Sequence, residues 1–285
     1  MSPDLSSSLF VWLNGDILPL HEARISPLDR GFLYGDGLFE TMRGQDGRIL
    51  YLTEHLERLH RSVKELRIPP VPSIDWRDCL GDLLRRNDLE LGAVAVKIIV
   101  TRGTDPTLGL PEYGEATVCM TARRYHPPST EAYWNGWKLH VFNGGFAPPL
   151  GKYKTLNYLY YLAARQVALD SGGDEALILD TMGNVADTAA GSLMVKINGQ
   201  WLRPASPQRL QGITVELVAE LFKKEGGKVH KQPLTMDDLL SAETVWVLNS
   251  LMGVMPVNSI EDHSLPALNS EEAVRVREVL FENGS

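Results

Sequence analysis

The chain has 285 residues, 44% of them hydrophobic and 22% charged, with a formal net charge of −8. That length can bury one large core or two modest ones, and the acidic balance argues against a general nucleic-acid or anionic-membrane binder. No apolar run approaches the roughly 18 residues that span a bilayer, and the first residues lack the basic-then-apolar layout of a signal peptide, so a cytoplasmic setting is expected. Cys79 and Cys119 fit neither a metal cluster nor a disulfide framework, and they read as small buried hydrophobes.

In chain order, Leu9–Leu13 and Ile17–Leu20 read as short strands around an Asn14-Gly15 turn. Between Leu28 and Met42 three glycines in seven residues, mixed with aromatics, suggest a backbone bending tightly beside something flat or bulky. A hairpin through Asp46-Gly47 follows. Thr53–Leu66 is a predicted helix whose buried stripe is Leu56, Leu59, Val63 and Leu66, and this pattern leaves Arg58 on the exposed side. Ile74–Asn87 is a second helix and Ala93–Thr101 a β-rich run that ends in Arg102-Gly103-Thr104, a turn with one cation. Ala116–Ala122 is a further strand. The Pro127-Pro128 pair marks residues 125–135 as a linker, which divides the chain into domains 1–124 and 136–285.

The second half opens with the strand Lys138–Phe142. Residues 151–169 read as an amphipathic helix with Leu156, Leu159, Leu162, Ala163, Gln166, Val167 and Leu169 along one face. Thr155 is the expected N-cap, which places Lys154 at the helix mouth, where the positive helix end favours loss of the ammonium proton. Such a lysine can attack a carbonyl, although from this window alone a solvated surface lysine fits as well. Glu175–Leu179, Val185–Ala189, a hairpin through Asn198-Gly199 and the buried strand Thr244–Leu248 follow. A helix enters at Gly212-Ile213-Thr214, where free amides can cradle an anion. Asn249–Gly253 is a small polar loop.

Several of these motifs occur together and in order. Asp29–Thr41 with its three glycines, His55-Leu-Glu-Arg58-Leu59, Lys154-Thr-Leu-Asn157, Gly212-Ile213-Thr214 and Asn249–Val257 resemble the fold type IV pyridoxal-phosphate enzymes. That family holds branched-chain aminotransferases, D-amino-acid aminotransferases and 4-amino-4-deoxychorismate lyases, and the resemblance runs from about Val11 to Val257. It implies a two-domain α/β (α+β) architecture, with a smaller N-terminal domain and a larger, mostly antiparallel C-terminal one. It also implies a homodimer with the active site between the domains, closed by a loop from the neighbouring subunit. The implied cofactor is pyridoxal 5′-phosphate, with Lys154 as the catalytic residue that bonds it. Arg58, the amides of Ile213 and Thr214, and the Ser250 hydroxyl take its phosphate. Asp187 stands where the family carboxylate pairs with the pyridine nitrogen. On the substrate side the candidates are Tyr34, Arg102 and Thr41.

The Asn249–Val257 segment looks like the lyase branch. The resemblance therefore implies conversion of aminodeoxychorismate to 4-aminobenzoate and pyruvate in folate biosynthesis, the substrate being a small amine bearing carboxylates. An aminotransferase acting on D-amino acids and 2-oxo acids is the alternative, and a cofactor-binding protein without efficient catalysis is a third reading. Two departures motivate that third reading. The loop after Arg102 lacks a second arginine, and Asp187 and Ser192 replace a glutamate and an asparagine of the family pattern.

Overall fold

The computed structural model describes residues 9–266 and 270–283, so the outer ends of the two expected domains lie outside the described residues. The chain folds as two compact units, one running to Pro127 and including Tyr153–Asn157, the other formed by Pro128–Lys152 and Tyr158–Asn283. Both mix helices with sheet.

The first unit contains β1 (Phe10–Leu13), β2 (Asp16–Pro19), α1 (Arg30–Tyr34), β3 (Gly37–Gln45), β4 (Arg48–Ile49), α2 (Leu52–Glu65), α3 (Trp76–Arg86), β5 (Ala93–Thr101) and β6 (Thr117–Arg124). They form an antiparallel sheet of order β2-β1-β6-β5-β3-β4. Asn14 and Asp46 take positive φ of 49° and 50° at the two hairpin turns, each followed by a glycine, as the tight hairpin geometry requires. Alternation along the strands sorts the residues by face. Leu38 and Met42 of β3, Val96, Ile98 and Val100 of β5, and Val118 and Met120 of β6 share one core with Leu59, Val63, Leu80 and Leu83 of the two long helices. Phe39, Thr41, Lys97, Ile99, Cys119 and Thr121 alternate with them and so belong to the opposite face of the sheet. Both cysteines are only partly buried.

The second unit contains α4 (Thr130–Asn135), β7 (Trp137–Val141), α5 (Leu159–Asp170), β8 (Glu175–Leu179), β9 (Val185–Thr188), β10 (Ser192–Ile197), β11 (Gln200–Pro204), α6 (Ile213–Lys224), β12 (Val229–Gln232), α7 (Met236–Leu240), β13 (Thr244–Asn249), β14 (Gly253–Ile260), β15 (His263–Ser264) and α8 (Ser270–Asn283). The sheet runs β12-β11-β10-β13-β14-β7-β8-β9, with β15 beside β14. Its pairs are mostly antiparallel, with parallel contacts at β11–β12, β14–β7 and β7–β8. The stretch read as a linker holds α4, capped by Ser129, whose hydroxyl accepts from the Ala132 amide at 3.1 Å.

The helix after Lys154 departs most from its sequence pattern. It begins at Leu159 with Tyr158 as N-cap. Its buried residues are Ala164 and Ala168, which pack with Ala176, Ile178 and Ala186, while Leu159 is 74% exposed. Two alanines one turn apart make a flat face that lies close to β8. Leu162 and Leu169, also expected inside, are exposed as well, whereas Leu156 lies before the helix and is partly buried.

Candidate active site

Lys154 sits on extended chain, not at a helix mouth, so Thr155 is not an N-cap and the helix-end argument for its chemistry fails. The Phe39 amide donates to the Lys154 carbonyl at 2.9 Å, and the Leu156 amide donates to the Gly37 carbonyl at 2.9 Å. Leu38 and Thr155 complete an antiparallel bridge. Gly37 permits this approach, because a Cβ there would lie 2.7 Å from the Leu156 side chain and 2.6 Å from the Val100 carbonyl. The segment is thus tied to β3 by a single isolated bridge. It places Lys154 Nζ 4.4 Å from the centroid of the Phe39 ring, within cation–π range.

One residue further along β3, Glu40 points to the core side and is 1% exposed. Arg58 Nε and Nη2 donate to its two carboxylate oxygens at 2.8 and 2.6 Å, and His55 Nδ1 lies 2.7 Å from Oε2. Burial pushes the Glu40 carboxyl upward, but the hydrogen bonds from His55 and Arg58 prevail and hold it at about 2. Burial lowers the His55 pKa despite Glu40, and the charges of Arg58 and Lys154 add to that fall. The pair is therefore a neutral imidazole donating Nδ1–H to an ionised carboxylate. Arg58 is buried at 7% exposure, against the exposed position that its helix pattern predicts.

Arg102 is 1% exposed, and all five of its N–H groups are engaged. Nε and Nη2 donate to Asp36 at 2.8 and 3.0 Å, and Nη2 also donates to the Leu66 carbonyl at 3.0 Å. Nη1 donates to the carbonyls of Arg67 and Pro111. A guanidinium in this state has no donor left for a substrate carboxylate, so Arg102 is corrected to a structural tie. Arg30 joins the same Asp36 at 2.8 Å and holds the carbonyls of Thr107 and Gly109. Burial raises the Asp36 pKa, but hydrogen bonds from Arg102 and Arg30 outweigh it and leave the carboxyl below its usual value. Tyr34 is 57% exposed, with the Arg30 guanidinium 5.1 Å from its ring centroid.

Thr41 has a neighbour that the sequence did not bring forward. Thr41, Lys97 and Thr121 lie in register across β3, β5 and β6 on one face. The exposed Lys97 ammonium is 4.9 Å from the Phe39 ring centroid, so Lys97 and Lys154 share one aromatic ring. Among the described residues no carboxylate pairs with Lys97. The signal is present in the strand pattern, since Lys97 is the one charged residue of Ala93–Thr101.

In the second unit, Ile213 and Thr214 open α6, both buried, after an N-cap Gly212 whose position supplies no side-chain cap. Among the described residues no side chain caps their amides, and first-turn amides of this kind can take an anion. A Cβ at Gly212 would collide with Ser192 Oγ, which explains the glycine there. Asp187 on β9 lies opposite Ile178 and is 8% exposed. Burial raises the phenol pKa values of Tyr158 and Tyr161, and the Asp187 charge adds to both, so both rings are near this carboxylate. Tyr158 donates to the Ala189 carbonyl at 2.7 Å. Asn249 donates to the Ala190 carbonyl at 3.1 Å and accepts from the amides of Leu251 and Met252 at 3.0 and 2.9 Å. This pins the turn that carries Ser250.

The first unit thus holds a lysine on extended chain and a buried arginine, and the second an uncapped helix start and a buried carboxylate; taken unit by unit, these are side chains and amides of the kinds that a phosphorylated aldehyde with a basic ring nitrogen calls for. Residues 37–260 match the family model described as amino-transferase class IV. The chain is 32% identical over 254 residues to a "Putative branched-chain-amino-acid aminotransferase" of Methanocaldococcus jannaschii, covering 88% of each protein. It is 27% identical over 278 residues to an aminodeoxychorismate lyase of Bacillus subtilis, covering 95% of this chain and 93% of that one. The branched-chain amino acid aminotransferase of T.th., solved with pyridoxamine 5′-phosphate, superposes with a TM-score of 0.84 at 27% identity. That match covers 96% of this chain and 93% of the other. The chain belongs to the class IV aminotransferase family, the fold type IV pyridoxal-phosphate enzymes.

Proposed function

We propose that this enzyme is an aminodeoxychorismate lyase, which forms 4-aminobenzoate and pyruvate. The observation that carries the choice of substrate is the pair of lysines on the Phe39 ring. Aminodeoxychorismate carries two carboxylates beyond its amine, and Lys97, flanked by Thr41 and Thr121, is a cation placed to meet one of them while Lys154 works at the amine-bearing carbon. The Asn249–Val257 segment and the Bacillus subtilis relative support the same reading.

The cofactor is pyridoxal 5′-phosphate. Bound, it supplies an aldehyde that takes up the substrate amine and a ring that withdraws electrons from the adjoining carbon. Arg58, the amides of Ile213 and Thr214, and the Ser250 hydroxyl hold its phosphate. Asp187 would keep the proton on its ring nitrogen. Lys154 would tether the cofactor, and its Nζ would serve as the base that takes the proton from the amine-bearing ring carbon and passes it to the departing group. The side-chain oxygen then departs from the substrate ring with the enol of pyruvate as that ring becomes aromatic. Lys154→Ala is expected to lower turnover by at least about a thousandfold, because it removes both the tether and the base. The reading brings with it a folate-pathway role, a homodimer and a cytoplasmic setting.

The second reading is an aminotransferase, favoured by the Methanocaldococcus jannaschii relative. One assay with three arms separates the two. Purified protein with pyridoxal 5′-phosphate is given aminodeoxychorismate alone, D-alanine with 2-oxoglutarate, or L-leucine with 2-oxoglutarate. Turnover confined to the first arm, with pyruvate and 4-aminobenzoate formed in equal amounts, is expected. Glutamate formation in either other arm without turnover in the first overturns the lyase reading.

A further inference from the structure

A carboxylate among Leu38, Met42, Val96 and Ile98 is costly unless every oxygen is matched, so Glu40 calls for an account. It touches the core side of β3, where its register partner is Ile98. Its partners come from α2, where His55 and Arg58 are three residues apart and so project from the same helix face. Residues 39, 40 and 41 of one strand thus meet, in turn, the ammonium of Lys154, the guanidinium of Arg58, and Lys97 on the neighbouring strand.

We propose that Glu40 is a positioning residue for the cofactor phosphate: it grips the Nε–Nη2 edge of Arg58, with His55 as a second brace on the same carboxylate, and thereby fixes the direction in which the guanidinium presents itself. Glu40 touches neither the phosphate nor the substrate. The proposal rests on the phosphate role given above to Arg58. Arginine gains specificity for phosphate from its rigid planar fork, but the plane must be held, since the side chain rotates about several bonds. Two parallel bonds from one carboxylate hold it as no single acceptor does. The imidazole uses Nδ1 on Oε2, the oxygen that also takes Arg58 Nη2, so the brace reaches Arg58 through Glu40.

The test measures selectivity for phosphate in the full-length apoenzyme. Pyridoxal 5′-phosphate and unphosphorylated pyridoxal are titrated separately, each followed by the absorbance of the bound aldehyde, and the ratio of the two dissociation constants is compared between variants. Inorganic phosphate serves as a competitor of the phosphorylated form. Glu40→Gln is expected to reduce the preference for the phosphorylated form by about tenfold or more, with pyridoxal affinity kept and inorganic phosphate competing more weakly. A merely structural role would lower both affinities together and leave the ratio unchanged, which overturns the proposal. Arg58→Lys tells the two levels apart. If it loses the preference while Glu40→Gln keeps it, Glu40 has no positioning role. If it keeps the preference, the phosphate role of Arg58 fails and the proposal fails with it. Where Glu40→Gln does not fold, His55→Gln replaces it, with an expected drop of roughly threefold in the same ratio and an unchanged ratio counting against the proposal.

Discussion

Glu40 in the first unit and Glu175 in the second are both strand residues, both 1% exposed and both bonded to an arginine. Their acidities diverge from the same starting value of 4.5, to about 2 for Glu40 and about 7 for Glu175. Burial is the largest cause in each case, and it acts in the same direction. The partners decide the outcome. Arg58 is itself buried, with an 8% exposed side chain, and meets Glu40 through two nitrogens with His55 beside it. Arg165 has a 37% exposed side chain and reaches Glu175 through Nη1 at 2.9 Å. The remaining support comes from the amides of Ala176, Ala189 and Ala190. Water screens the one cation and not the other. A buried carboxylate is thus ionised or not according to how dry its partner is.

The comparison breaks most severely if Glu40 becomes alanine. Arg58 would be left buried without its carboxylate, at a cost of about 3–5 kcal/mol. Urea denaturation should show the loss in the first unit, and an unchanged midpoint would mean that water reaches Arg58. Arg102→Ala should also be costly, since it removes the donor to Asp36 Oδ1 and to three carbonyls, but less so than Glu40→Ala because Arg30 still holds Asp36. Arg102→Ala should leave the KM of surviving enzyme unchanged, because the guanidinium has no donor to lend.

Stability against pH sharpens the contrast, because the two glutamates carry opposite signs. The folded pKa of Glu175 is raised, so its contribution is fully present below 4.5 and is lost as pH rises through about 7. That span of roughly 2.5 pH units corresponds to on the order of 3 kcal/mol. Glu40 is depressed, so its contribution is present above 4.5 and is lost as pH falls through about 2. Glu175→Gln should therefore remove a loss of stability between pH 4.5 and 7 and leave the acid limb in place. Hydrogen exchange at β8 read across that range checks it, and an equal slope in wild type and variant would contradict the assignment.

Glu40 also shows where the sequence stops being readable. The hairpins are legible, because Asn14, Asp46 and Asn198 with their glycines supply the left-handed pairs that two-residue turns need. β5 is legible from its run of β-branched residues. Arg58 is legible only through family resemblance, because its own helix pattern puts it outside, and its anchor Glu40 lies 18 residues back on another element. Arg102 misleads for the same reason: its saturation depends on carbonyls at positions 66, 67 and 111, brought to it by the fold alone. The lysine helix misleads through hydrophobicity, since leucines outrank alanines in any pattern and the sheet takes the smaller residue. α7 escapes the periodicity although its capping box, Thr235 with Asp238, is in plain view.

The smallest expected effect is the one that decides what the exposed face is for. Lys97→Ala touches no core contact, so stability should stay within about 0.5 kcal/mol. If Lys97 meets a carboxylate remote from the reacting amine, KM for aminodeoxychorismate should rise roughly fivefold with kcat nearly unchanged, the pattern of lost uniform binding. Added salt should shrink the difference between wild type and variant, because an exposed pair is screened. D-alanine has no second carboxylate, so any activity toward it should be indifferent to the change. Equal losses on both substrates would mean that Lys97 acts on Lys154 through the Phe39 ring they share and not on the substrate. That would move the second lysine from recognition to catalysis, a role opposite to that of the saturated Arg102 beyond the end of its own strand.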